Sequence, residues 1–145
     1  MKSDFNYLEK ELSNQLFGLF VKVGKELGSN FKEFVYQEAL KEELEVHKIE
    51  FKIQPKVSIH SFKNEKSLGF FIPDILIENK IIVEIKSLKH LSDDSVNQIM
   101  KYLERSIYEI GYLVNFGCSH TQIIRRIYTN DRKKFLNNFS QTNAN

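Results

Sequence analysis

The sequence predicts an α/β domain with the element order ααβββαββ. Amphipathic helical stretches open the chain. Alternating and apolar strand-like segments run from 48 to 87. A further amphipathic stretch then separates that run from the closing strands. A length of 145 residues suits one core, so a single domain is set at 1–130, with a polar and partly disordered C-terminal tail at 131–145. Hydrophobic residues make up 41% and aromatics 12%, enough for a packed interior.

Residues 4–27 read as the first helix. Leu8, Leu12, Leu16, Leu19 and Val23 recur at three- and four-residue steps, with Phe20 and Leu27 widening the stripe. Gly28-Ser29-Asn30 is a stop and restart: Gly28 suits C′, and Ser29 or Asn30 suits an N-cap. A second helix is expected over Phe31–His47, burying Phe34 or Val35, Ala39, Leu40, Leu44 and Val46. Residues 48–62 alternate through Ile49, Phe51, Ile53, Val57, Ile59 and Phe62, interrupted at Gln54-Pro55. Pro55 points to an edge or a bulge. Leu68–Ile77 and Ile81–Ser87 are the next strands, so Val57–Ser87 is expected to form a three-stranded antiparallel meander. Ser92 or Asp93 caps a third helix over Asp94–Ile110, with Val96, Ile99, Leu103, Ile107 and Ile110 inward and Gly111 ending it. Tyr112–Phe116 is apolar enough to be buried on both faces, and Gln122–Thr129 is the last strand.

The stretch Phe70–Ser87 carries charges that a plain core strand would lack. Asp74 follows Pro73, while Glu84 and Lys86 flank Ile85 and share one strand face. If Glu78-Asn79-Lys80 forms the turn, Asp74 lies opposite Glu84 with Cβ atoms roughly 5 Å apart. Carboxylates so close repel unless a cation sits between them or one stays protonated. A hard divalent metal takes such oxygens. The bland explanation is solvated strand-edge charge in a chain that is 28% charged.

Net charge is +2, so no whole-protein field announces a polyanion. Arg125, Arg126, Arg132, Lys133 and Lys134 cluster near the end; such a run can meet nucleic acid but is more often a solvated tail. The single cysteine, Cys118, excludes an internal disulfide and fits a reducing compartment. No signal peptide or membrane-length apolar run is visible, so the expectation is a soluble, cytoplasmic protein without membrane contact. His47, His60, His90, His120 and Cys118 lack metal-ligand spacing and read as structural or surface residues.

Taken in order, these pieces resemble the PD-(D/E)xK nuclease core, a restriction-endonuclease-like α/β fold. Within it the chain is similar to the GxxExxY proteins over about residues 11–129. The helix motif falls on Asn30-Phe31-Lys32-Glu33-Phe34-Val35-Tyr36, with Asn30 in place of the glycine. Asn tolerates positive φ best among the other residues, so the backbone role is expected to survive. Gln54, Asp74 and Glu84-Ile85-Lys86 follow, then Gln98-Ile99-Met100-Lys101-Tyr102 and Leu113-Val114-Asn115-Phe116-Gly117.

The resemblance implies a central mixed sheet flanked by helices and a nuclease hydrolysing phosphodiester bonds with Mg²⁺ or Mn²⁺, DNA set ahead of RNA. The implied catalytic set is Glu33, Asp74, Glu84, Lys86, Gln98 and Tyr102. Asp74, Glu84 and the Ile85 carbonyl would ligate the metal, with Glu33 as a further ligand directly or through water. Lys89, Lys101 and Arg105 would hold the flanking phosphates. Glu33 also has a purely local explanation, since it stands near capping-box geometry and complements the helix dipole. Tyr102 borders an apolar stripe and has a core explanation. The alternative is a non-catalytic nucleic-acid-associated accessory or protein-binding module that keeps the fold, with a protein partner or a second copy completing it.

Overall fold

In the computed structural model, residues 8–136 are described. The helix expected from residue 4 begins as α1 at Lys10 and runs to Leu27, after a turn at Leu8-Glu9 with Glu9 as its N-cap; residues 4–7 lie outside the described part. The remaining elements are α2 (Glu33–Val46), β1 (Phe51–Ile53), β2 (Val57–His60), β3 (Ser67–Phe71), β4 (Ile75–Ile77), β5 (Ile81–Lys86), α3 (Asp93–Arg105), β6 (Ile110–Asn115) and β7 (Gln122–Ile127). A 3₁₀ turn follows at Asn130–Arg132. A five-stranded mixed sheet has the order β1-β4-β5-β6-β7, and β2 pairs with β3 in a separate two-stranded sheet. Among the described residues no helix is long and apolar enough to cross a membrane.

The three-stranded meander is thus replaced by a more broken path. The alternating run at 48–62 is two strands, β1 and β2, parted at Gln54-Pro55. The run at 68–77 is also two, β3 and β4, parted at Ile72-Pro73-Asp74. Each proline lacks a ladder N–H, and the chain leaves one sheet and enters the other there. β1 then pairs antiparallel with β4 as the edge of the large sheet. Gln54, expected before the first strand, follows β1.

The chain divides into two compact units. The first comprises 1–49, 85–91 and 114–123; the second comprises 50–84, 92–113 and 124–145. In the first unit α1 buries Leu16, Leu19, Phe20 and Val23, the expected stripe. Lys22 on α1 bonds Glu43 on α2 at 3.0 Å. α2 instead buries Tyr36, Gln37, Leu40 and Leu44, and leaves Phe34 and Val46 exposed. Gly24 lies where a Cβ would meet the Thr121 Oγ1 atom at 1.8 Å, so glycine lets the loop after β6 sit against α1.

In the second unit Leu76, Ile82 and Leu103 of β4, β5 and α3 form a buried cluster with Val57 and Phe71 of the small sheet. α3 is shorter than expected. Its N-cap is Ser92, whose hydroxyl accepts from Ser95 N–H at 3.3 Å, and it ends at Arg105. Ile110 is the first residue of β6, and Ile107 is exposed. Residues 131–136, assigned to the polar tail, are folded down: Lys133 and Phe135 are fully buried. Lys133 Nζ donates to the Ser106 and Tyr108 carbonyls at 2.8 and 2.7 Å, which removes it from the expected basic cluster. The rest of the expected tail lies outside the described residues.

Candidate active site

The β4–β5 hairpin places the acids. Glu78 and Asn79 both take positive φ, 53° and 52°, and Lys80 N–H donates to Ile77 O at 2.9 Å. This tight left-handed turn sets the register Ile77↔Ile81, Leu76↔Ile82 and Ile75↔Val83. Asp74 stands just ahead of β4 rather than inside a long strand, and Glu84 follows Val83, the partner of Ile75, so the expected Asp74–Glu84 pairing would be the next step beyond this register. β4 is buried throughout, and in β5 only Glu84 and Lys86 are half-exposed. Asp74 and Glu84 continue the face that carries Leu76 and Ile82, so they stand at the rim of the second unit's apolar cluster. Slipping the register by one residue would drive both charges of β5 into the opposite, closed face.

Backbone contacts fix this rim from both sides. Gln54, itself at positive φ (49°), donates its N–H to Asp74 O at 3.0 Å. Phe116 N–H donates to Lys86 O at 2.9 Å. Tyr102 stacks flat on Phe71, ring centroids 3.9 Å apart. Burial raises the Tyr102 phenol above its usual range, and the negative charge of Glu84 adds to the rise. The phenol therefore stays protonated beside that carboxylate, so Tyr102 serves both as core and as a neighbour of Glu84. Gln98 lies one turn earlier and is exposed. Among the expected phosphate contacts, Lys89 and Lys101 are exposed. Arg105 is engaged elsewhere: its guanidinium lies 3.6 Å over the Phe62 ring and reaches His60 O at 3.5 Å.

Glu33 belongs to the first unit. Its expected capping role is absent: Lys32 is the N-cap, no side chain caps the helix, and Glu33 is the first helical residue. Asn30 takes positive φ, 82°, as expected for the residue standing in for glycine. Tyr36 is the clamp of this loop. Its hydroxyl donates to Gly28 O at 2.6 Å and accepts from Phe31 N–H at 3.3 Å, while its ring stacks on Phe116 at 4.5 Å. Ser87, next after Lys86, donates its hydroxyl to Phe31 O at 2.5 Å. Ser87 and Asn30 to Phe34 line a single open cleft, so Glu33 shares a cleft with the end of β5.

Sequence reasoning assigned no role to Ser87 or to the side chain of Asn115. Asn115 is fully buried, accepts from Leu88 N–H at 2.9 Å and Gly117 N–H at 3.1 Å, and donates to Leu88 O at 2.8 Å. A lone amide at the end of an apolar strand was the available signal, because a buried amide is rarely left unbonded.

The donor set suits one hard divalent ion. Two half-buried carboxylates, one just ahead of β4 and one on β5, supply hard oxygens, and water can complete the shell. Among the described residues no group of three His, Cys, Asp or Glu is placed to hold a metal ion.

The family model of the PD-(D/E)XK nuclease superfamily matches residues 10–127. The chain belongs to the PD-(D/E)XK nuclease superfamily. No curated protein and no solved structure matches it. Members of this superfamily are generally dependent on divalent metals, and superfamily membership points to a nucleic-acid substrate. The matched span contains every site residue named above.

Proposed function

We propose that this PD-(D/E)XK chain is a metal-dependent nuclease that hydrolyses phosphodiester bonds, DNA ahead of RNA. The observation that supports this reading is the register of β4 and β5: Ile75 pairs with Val83, Asp74 and Glu84 are the next residues on the two chain segments, and Lys86 shares the strand face of Glu84. Asp74, Glu84 and the Ile85 carbonyl would hold Mg²⁺ or Mn²⁺. That ion would supply an acidified water and charge neutralisation at the phosphate. Lys86 orients the attacking water and offsets charge growing on the phosphate oxygens. Tyr102, a neutral donor beside Glu84, keeps that carboxylate in place. Gln98, exposed on the same helix, contacts the phosphate. Glu33 acts from its cleft through water. Lys89 and Lys101 hold flanking phosphates.

We also place the chain with the GxxExxY proteins. Support comes from the positive φ of Asn30 and the double hydrogen bond of Tyr36, which give those motif positions a backbone job.

The test uses single- and double-stranded DNA and RNA with Mg²⁺ or Mn²⁺, each repeated with EDTA and with Glu84→Ala. Cleavage that needs the metal and disappears in Glu84→Ala is the expected result. Cleavage that survives either treatment refutes the mechanism. Absence of cleavage on every substrate assigns the fold a binding role instead.

A further inference from the structure

The hairpin of β2 and β3 stands outside the large sheet, and its faces are unlike. Val57 and Phe71 pair across the inner face and are buried in the second unit's cluster, with Ile59 packed beside them. The outer face should then be polar, as in an ordinary half-solvated antiparallel pair. It is not. Leu68 is 64% exposed, Phe70 is 52% exposed, and Ile72, one step beyond the strand, is 50% exposed. Opposite Phe70 stands only Ser58.

Charge selects the occupant of this apolar face. Between Lys56 and Ile72 the charged residues are Lys56, Lys63 and Lys66 against Glu65 alone. All three lysines are exposed. The Lys56 ammonium lies 4.7 Å from the centre of the Phe70 ring, and Arg105 covers Phe62 in the same manner. Phe70 therefore offers a half-exposed ring with a cation lying over it, which a stacking base would displace towards a phosphate. An unpaired nucleotide offers the complement: a flat base and, one backbone step away, a phosphate. A duplex hides its base faces and cannot use the ring. β3 leads through Ile72 and Pro73 into Asp74, within the same unit.

We propose that the outer face of the β2–β3 hairpin binds an unpaired strand of nucleic acid. Phe70 stacks on a base, and Lys56, Lys63 and Lys66 hold its phosphates. The substrate is then single-stranded, or carries an unpaired stretch. This inference rests on the nuclease reading for its purpose, but its test does not require cleavage.

The test measures binding in EDTA by fluorescence anisotropy, using labelled oligothymidine and its duplex with oligoadenine. Wild type binds the single strand more tightly than the duplex. Phe70→Ala weakens single-strand binding by roughly 5- to 150-fold and leaves duplex binding unchanged. Replacing Lys56, Lys63 and Lys66 together by Gln lowers the slope of log affinity against log salt by about 2. All these side chains are exposed, so thermal melts of the variants should match wild type. Unchanged single-strand binding in both variants overturns the inference. So does a wild-type dimer that Phe70→Ala dissociates in sedimentation, because the face would then be a self-interface. Metal-dependent cleavage that Phe70→Ala does not alter sinks the hairpin role and keeps the nuclease. Single-strand binding without cleavage keeps the hairpin role and sinks the nuclease.

Discussion

Tyr36→Phe separates two jobs that the motif tyrosine performs. The side chain is fully buried. Phenylalanine keeps the ring stacked on Phe116 and removes only the hydroxyl. That hydroxyl satisfies the Gly28 carbonyl at 2.6 Å and the Phe31 N–H at 3.3 Å. Both backbone groups belong to exposed residues, so losing these hydrogen bonds costs about 0.5–1.5 kcal/mol. Urea unfolding should show that loss as a lower midpoint at unchanged slope. The loop from Gly28 to Phe31 leads straight into Glu33, and its far end is tied to Ser87. A loosened loop misplaces Glu33, and misplacement on the ångström scale costs up to about 100-fold in rate. If Tyr36 acts on cleavage only through Glu33, its effect must vanish in a Glu33→Ala background. A double-mutant cycle on the cleavage rate measures this. Additive effects of Tyr36→Phe and Glu33→Ala would refute the positioning role. A stability change below about 0.5 kcal/mol would refute the hydrogen-bonding account.

Lys133 supplies a pH test. Burial pushes its ammonium down to about 8 from an ordinary value of 10.5, with Glu109 opposing the drop. Between those limits the unfolded chain keeps the proton and the folded one sheds it, so stability rises with pH there. Wild type should gain roughly 3 kcal/mol over Lys133→Met from pH 8 to 10.5, read by urea unfolding. A difference that stays flat, or falls, sinks the assignment. Gly117→Ala puts a Cβ 2.3 Å from Leu88 N, a backbone atom that cannot swing aside. It should destabilise by about 1–3 kcal/mol, and an unchanged melting temperature would contradict the close approach. Asn115→Leu leaves Leu88 N–H and O and Gly117 N–H without their side-chain partner, and should cost about 2–5 kcal/mol. Asn115→Asp restores the acceptor alone, so it should recover part of that loss, and no recovery would refute the amide's role.

The β4–β5 pairing was legible because a strand buried on nearly all sides leaves few registers open. Ile75 to Ile77 and Ile81 to Val83 must match, and Glu84 and Lys86 must find the open end. The stripe of α1 was legible for the same reason. α2 buries the expected Leu40 and Leu44 but was misread at its first turns, where Tyr36 is buried for its hydrogen bonds and stacking rather than for hydropathy. The break at Gln54-Pro55 was visible and the one at Pro73-Asp74 was read through as a single strand, because periodicity cannot tell a kink in one strand from a passage between sheets. That distinction lies in pairing partners far along the chain, Ile53 with Ile75 and Val57 with Phe71. Lys133 was misplaced because a lysine in a basic run looks solvated. Only the bare carbonyls of Ser106 and Tyr108, beyond the end of α3, give it a buried destination.

The motif residues account for chemistry, yet other groups hold their backbone. Gln54 N–H grips the carbonyl of Asp74. Phe116 N–H grips that of Lys86, and Ser87 and Asn115 lock the next residues of the chain. A carboxylate on a short strand end swings unless its own peptide units are bonded. Metal-ligand bonds tolerate errors of only about 0.2 Å. In the proposed site the acids and the lysine would be the reacting groups, whereas the buried amide and the seryl hydroxyl hold the backbone beside them. Substituting Ser87 by Ala should accordingly leave the fold standing and lower the cleavage rate, since Ser87 ties the residue after Lys86 to the loop that carries Glu33.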